Sequence, residues 1–302
     1  MTRLIPDPNF KLSRRAIVHI LCAVAALLSL GLAAAESDEP LDPDVLRKVR
    51  KLVKGTLAED SKEREKAWNE IRDMGNLVTP GLLELCKQKD TTPAMSQSIL
   101  IALGDSKDPR AGPALVDLMK SSEPHVRKGA ARAMGDCRFK AGLPVLESTA
   151  ENEKEDEEVR LFAAVAGAKM NSPKAVGALL SLVKSPAPQV RSRAVFALGK
   201  YGGIAQAGAI EKVLDDADDS VREDAVEALR LLAEKPAWPG LIKAAHDANF
   251  RIRGSAMDAL RQLTKQKFDN DPKLWQEWWE KHKDDPAAKS AKDKKSEKKE
   301  AF

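Results

Sequence analysis

The sequence predicts an all-α fold: a right-handed α-solenoid of about seven helical hairpins, closed at its C-terminal end by a Trp-rich capping helix. Three observations predict it. A Val-Arg dipeptide returns on a 31-residue beat, Ala and Leu recur at fixed offsets behind it, and only 4% of residues are aromatic. Small apolar side chains suit closely packed helices, whereas sheets favour β-branched and aromatic ones. Thr and Tyr are scarce here, which argues against a sheet-based core.

The beat is strict. Val126-Arg127, Val159-Arg160, Val190-Arg191, Val221-Arg222 and Ile252-Arg253 follow one another at 33, 31, 31 and 31 residues. One period back lies Met95, and one more reaches Glu63-Arg64. With the Val as position zero, Ala stands at four (Ala130, Ala163, Ala194, Ala225, Ala256) and again at seven (Ala102, Ala133, Ala166, Ala197, Ala228, Ala259). Leu or Met usually follows at eight. Positions 0, 4, 7 and 8 share one helix face at 100° per residue.

Shorter apolar stretches fill the intervals: Pro109 to Lys120, Pro173 to Lys184, Ile204 to Asp215 and Pro236 to Ala245. Pro near their starts suits a position that needs no backbone donor. Gly104, Gly135, Gly199 and Gly202 are expected at the turns, as helix-ending residues with positive φ. Each unit is then a helical hairpin.

The order along the chain follows. Residues 1–35 read as an export signal: a polar stretch ending in Arg14-Arg15, an apolar run from Ala16, and a small-residue cleavage site at Ala33-Ala34-Ala35. The same run is long enough to span a bilayer, so a signal anchor is the other reading. Either way the chain is expected outside the cytoplasm, periplasmic or secreted. Residues 36–40 form a short linker, 41–265 the solenoid, 266–283 the capping helix and 284–302 a Lys/Glu-rich tail too polar to bury a core. At the solenoid's start, Asp42-Pro43 caps a helix to Gly55. At its end, Trp275, Trp278 and Trp279 fall at i, i+3 and i+4, on one side of a helix. Sealing the last repeat is the expected role, and an aromatic ligand cage the competing one.

Charge excludes one class of partner. The chain carries a formal +4, of which +3 lies in residues 1–35, so the remainder is near neutral and lacks the basic face that nucleic acid requires. Outside the export segment only Cys86 and Cys137 remain. They fall in different repeats, too far apart for a disulfide. No G-x-S-x-G, P-loop, dinucleotide-binding or C-x-x-C motif is present. His125, His246 and His282 are far apart in the register, so neither a catalytic residue, a metal ligand nor a cofactor is assigned.

Segments such as PQVRSRAVFALGKYG and DSVREDAVEALRLLA resemble HEAT repeats, particularly the short bacterial kind named after phycobilin lyases. The resemblance spans roughly Asp42 to Lys265. It departs from the pattern where Pro188 and Asn249 stand near the family's Asp, kept at Asp219, and where Glu63 replaces the first Val. It implies that the Val-Arg helix is the second of each pair and lines the solenoid's concave side. The function it implies is a non-catalytic protein-binding scaffold; a lyase-type enzyme or enzyme subunit is the alternative. Related repeats in an iron-dependent hydroxylase hold metal with His-Glu pairs, and this sequence has none.

Two candidate sites follow from the register. The ladder Arg127, Arg160, Arg191, Arg222 and Arg253 is read as bridging neighbouring repeats, with a row of anion ligands as the other reading. Positions 2, 3 and 6 point away from the core. They are acidic or small in the last two repeats (Glu223, Asp224, Glu227, Ser255, Asp258) but apolar earlier: Leu161, Phe162, Val165 and Phe196, with Arg132 and Arg193 beside them. An apolar patch rimmed by Arg is the expected partner-binding surface. The opposing expectation is that inter-repeat packing buries Phe162 and Phe196.

Overall fold

The helices alternate in length and role along the chain. In the computed structural model, residues 41–284 are described, apart from 89 and 269. The chain divides into two units, Met1–Pro43 and Asp44–Phe302, and the second holds the helical repeats. The export segment, the linker and most of the Lys/Glu-rich tail lie outside the described residues.

Among those residues there are helices and no strand. They pair as α1 (Pro43–Gly55) with α2 (Ser61–Met74), α3 (Thr79–Lys87) with α4 (Pro93–Ser106), and α5 (Gly112–Leu118) with α6 (Pro124–Asp136). Then come α7 (Leu143–Glu151) with α8 (Glu157–Lys169), and α9 (Pro173–Leu182) with α10 (Pro188–Ala197). The last pairs are α11 (Ala207–Val213) with α12 (Asp219–Leu232) and α13 (Trp238–Ala244) with α14 (Phe250–Thr264), followed by α15 (Pro272–His282). Seven hairpins and one terminal helix match the expected all-helical solenoid. The even helices are the Val-Arg helices.

Local chemistry sets the helix starts. Asp60, Thr92, Asp156, Asp218, Asn249 and Asp271 each accept a backbone N–H of the first turn through the side chain. Such caps satisfy donors that a helix leaves unpaired. Pro sits in the first turn of α4, α6, α9, α10 and α15.

From α4 onward each even helix packs on its odd partner, and successive even helices pack directly on one another along the chain. Val159, Val190, Val221 and Ile252 are buried, as are the Ala residues at positions four and seven from α6 onward. The glycines expected at turns do something else. Gly104 and Gly135 lie inside α4 and α6, and Gly199 lies in the π turn Leu198–Gly202 that extends α10. None of these, nor Gly202, has a positive φ. A Cβ on Gly104 would stand 3.1 Å from the Cα of Ala133, on Gly135 2.8 Å from that of Ala166, and on Gly199 2.4 Å from that of Ala228. These three glycines, all at position nine, let the next even helix press its position-seven Ala against the backbone. The turns after the even helices use Lys107, Arg138, Asn171, Ala233 and Lys265 in the left-handed region, with Gly203 serving after the π turn.

The solenoid ends as the register expects. Trp275 is fully buried, with the Phe268 ring edge-on at 4.9 Å. Trp278 and Trp279 lie against Trp238 of the last hairpin, at centroid distances of 5.7 and 6.1 Å. Trp278 and Trp279 therefore close the stack onto α13, and Trp275 meets Trp278 edge to face. Cys86 and Cys137 are both free thiols. Burial pushes the Cys86 thiol up to about 11, so it stays protonated and inert at neutral pH.

Candidate functional site

The Arg ladder comes first, because it decides which cations are available to a ligand. Arg127 donates through Nη1 to the carbonyls of Ser121 and Ser122, at 2.7 and 2.9 Å, in the loop before its own helix. Its Nε and Nη2 form a fork on Glu155 of the next repeat, at 2.9 and 2.6 Å. Arg191 repeats the pattern with Ser185, Pro186 and Asp216. Arg222 repeats it with Asp216, Ala217 and Asp247. Arg64 and Arg253 keep the two carbonyls. Arg160 departs, bonding Ala150 O instead, where the spacing before it is two residues longer.

A guanidinium has five N–H donors and no acceptor, and these forks use most of them. The Arg bonds hold Glu155 and Asp216 below the ordinary carboxylate range. Arg127, Arg191 and Arg222 stitch neighbouring repeats together, while Arg160 and Arg253 brace the backbone before their own helices.

The outward patch forms a groove. Along the strip of α8 and α10 opposite their buried Val and Ala positions, a volume of about 460 Å³ is bounded by Leu161, Phe162, Val165, Lys169, Arg193, Phe196, Ala197, Tyr201 and Asp224. Phe162, Val165, Phe196 and Tyr201 are half-buried and form its walls. Phe162 also leans on the core, while Phe196 is not packed against it. Neither ring is swallowed between repeats.

Two of the six expected residues sit differently. Leu161 is 1% exposed and belongs to the core, so it forms the groove's floor and not an outward contact. Each even helix is flanked by even helices on both sides, so the open strip is narrower than helical periodicity alone implies. Arg132 is exposed but does not line the groove. It reaches the rim through Asp136, 3.5 Å from its Nε, whose other oxygen is 2.6 Å from Lys169 Nζ.

Cations stand over the aromatic walls. Lys128 Nζ and Arg193 Cζ each lie 5.8 Å from the Phe162 centroid, and Glu158 bridges the two at 2.6 and 3.8 Å. Lys200 Nζ lies 5.9 Å from the Phe196 ring and 5.4 Å from that of Tyr201. Such placements are attractive through the ring quadrupole. Sequence reading missed Lys128, Lys200 and Tyr201. Lys128 occupies position two and was open to inspection. Tyr201 lies beyond the α-helical register, and only the π turn brings it to the groove.

A second groove adjoins the first. About 660 Å³ between α12 and α14 is lined by Glu223, Asp224, Glu227, Ser255 and Asp258, with Arg230 and Gln262 beyond. Asp224 borders both grooves. Arg230 is held by a fork to Glu227 at 2.6 and 2.5 Å. Among the described residues, no group of three or more His, Cys, Asp or Glu is placed to hold a metal ion.

The chain is similar to several solved structures. The complex of CpcE and CpcF of phycocyanin lyase from Nostoc is 17% identical over 82% of this chain and 97% of its own, with a TM-score of 0.43. Human deoxyhypusine hydroxylase is 17% identical over 72% of this chain and 96% of its own, with a TM-score of 0.36. A designed armadillo repeat protein in complex with the peptide (KR)4 is 21% identical over 70% and 98%, with a TM-score of 0.41. No curated protein matches the sequence. The family model for HEAT repeats matches residues 79–157 and 143–230, together half of the chain, and so the chain belongs to the HEAT-repeat family.

Proposed function

We propose that this chain is a non-catalytic protein-binding scaffold of the extracytoplasmic compartment, holding its partner in the groove between α8 and α10 on the concave side. The observation that carries the reading is the groove itself. Four half-buried apolar walls, three of them aromatic, stay open to solvent under a rim of Lys128, Lys169, Arg193 and Lys200. Aromatic and Arg side chains in a water-excluding recess are the composition of interface hot spots. A fold whose repeats are already stapled presents such walls with little ordering cost on binding. Export rests on Arg14-Arg15, the apolar run and Ala33-Ala34-Ala35. A membrane enters only as an anchor, if that run is left uncut.

The test is affinity capture from the envelope fraction with the wild-type chain and with Phe196→Ser. The expected result is loss of the wild-type partner from the variant, with circular dichroism unchanged, because Phe196 does not pack on the core. Phe162→Ser serves as the second variant. Equal capture by a folded Phe196→Ser chain contradicts the groove.

A further inference from the structure

We infer that the segment seated on this face is an extended polypeptide carrying a bulky apolar side chain and, about four to six residues along, two or more Lys or Arg residues that lie against α12 and α14. This rests on the groove reading above and adds the chemistry of the partner.

Charge changes in order along one face. Over α6 and α8 the rim is cationic, with Lys128, Arg132 and Lys169 held by Glu158 and Asp136. Between α8 and α10 the surface is apolar, walled by Phe162, Phe196 and Tyr201. Between α12 and α14 it becomes acidic: Glu223, Asp224, Glu227 and Asp258 line one recess, and Arg230 is its lining cation. Arg230 is already forked onto Glu227, and Asp258 is paired with Arg261 at 3.3 Å. Glu223 and Asp224 form no ion pair among the described residues; Asp224 accepts a hydrogen bond from the Ser192 hydroxyl.

The two recesses are neighbours on one face, with Asp224 in the wall of both. One ligand can therefore cross from the first to the second without leaving the surface. Helices packed side by side are ~8–10 Å apart. The centre of the apolar recess is then roughly 12–20 Å from the acidic side chains, and an extended chain advances about 3.3 Å per residue. That sets the four-to-six-residue interval. A helix rises only about 1.5 Å per residue and would need roughly ten, so the interval in the bound peptide tells the two forms apart, and a ten-residue spacing would overturn the extended form.

Sign selects the partner. An acidic segment would meet the carboxylates of Glu223 and Asp224 at close range, which costs affinity and slows encounter. A basic one meets complementary potential, and its binding weakens as salt screens the pair.

The test is selection of a displayed library of random 16-residue peptides on the full-length chain. Recovered peptides are then synthesised with a fluorescent label and titrated by anisotropy at low and high salt. The expected peptides join Trp, Phe or Leu to Lys or Arg at the stated interval. The Lys→Glu analogue of each should bind at least roughly tenfold more weakly, and the Glu223→Gln, Asp224→Asn chain should weaken the parent peptide by a similar factor. Phe196→Ser should weaken both parent and analogue. Peptides with no basic excess, or a Lys→Glu analogue that binds as tightly as its parent, overturn the inference. If such binding still depends on Phe196, the groove reading survives its loss. Selection that yields no binder sensitive to Phe196→Ser overturns both.

Discussion

Trp275→Ala is expected to lower the stability of the folded chain by about 3–5 kcal/mol, the usual cost of emptying a large aromatic site in a core. Trp275 is 0% exposed, sits edge-on to Phe268 at 4.9 Å and holds Trp278 at 6.3 Å. Trp278 in turn packs on Trp238 of the last hairpin. Emptying one site therefore loosens three others. Each repeat contacts its neighbours alone, so the loss should begin at the C-terminal end and spread inward. Urea denaturation gives the magnitude, and hydrogen exchange gives the place: α13 and α14 should lose protection before α6 and α8. An unchanged denaturation midpoint would remove the cap from the account and return these indoles to the ligand-cage reading.

The second large effect belongs to a glycine. Gly199→Ala places a methyl 2.4 Å from the Cα of Ala228 and 2.6 Å from its carbonyl oxygen. Both are backbone atoms of the next even helix, so neither a rotamer change nor a small side-chain shift relieves the clash. Overpacking of this kind costs roughly 1–3 kcal/mol, and more where backbone must move. The contrast is Gly177→Ala on the exposed side of α9, where nothing lies within 4 Å of the added carbon. There the exchange removes a flexible residue from a helix and should stabilise by about 0.5–1 kcal/mol. Opposite signs for the same chemical change, read from denaturation midpoints, test the close approach of α10 and α12. Equal effects would show that position nine tolerates a side chain.

The sequence spoke most clearly wherever one physical requirement recurs in every repeat. Val at zero and Ala at four and seven must face the core each time, so their spacing alone separates even from odd helices. Arg behaves likewise, since Arg127, Arg191 and Arg222 meet the same loop carbonyls and an acid one repeat on. What depends on distance between repeats was not legible. Gly104, Gly135 and Gly199 look like turn residues in one dimension, yet their function is set by the Ala of the following helix. Leu161 looked outward because a helical wheel knows nothing of the even helices on either side. Tyr201 was invisible because a π turn shifts it out of the register that located Phe196. The acidic residues Glu223 to Asp258 were legible as outward positions, but not that Asp224 also borders the apolar recess.

The central claim, that one face of α8 and α10 carries a protein partner, is tested most directly by photo-crosslinking. A benzophenone-bearing phenylalanine analogue is placed at position 196, and in a second chain at exposed Ser181 on α9, and each is irradiated in the intact envelope fraction. The account predicts a discrete protein adduct from position 196 and none from position 181. Adducts of equal yield from both positions, or from position 181 alone, would contradict it.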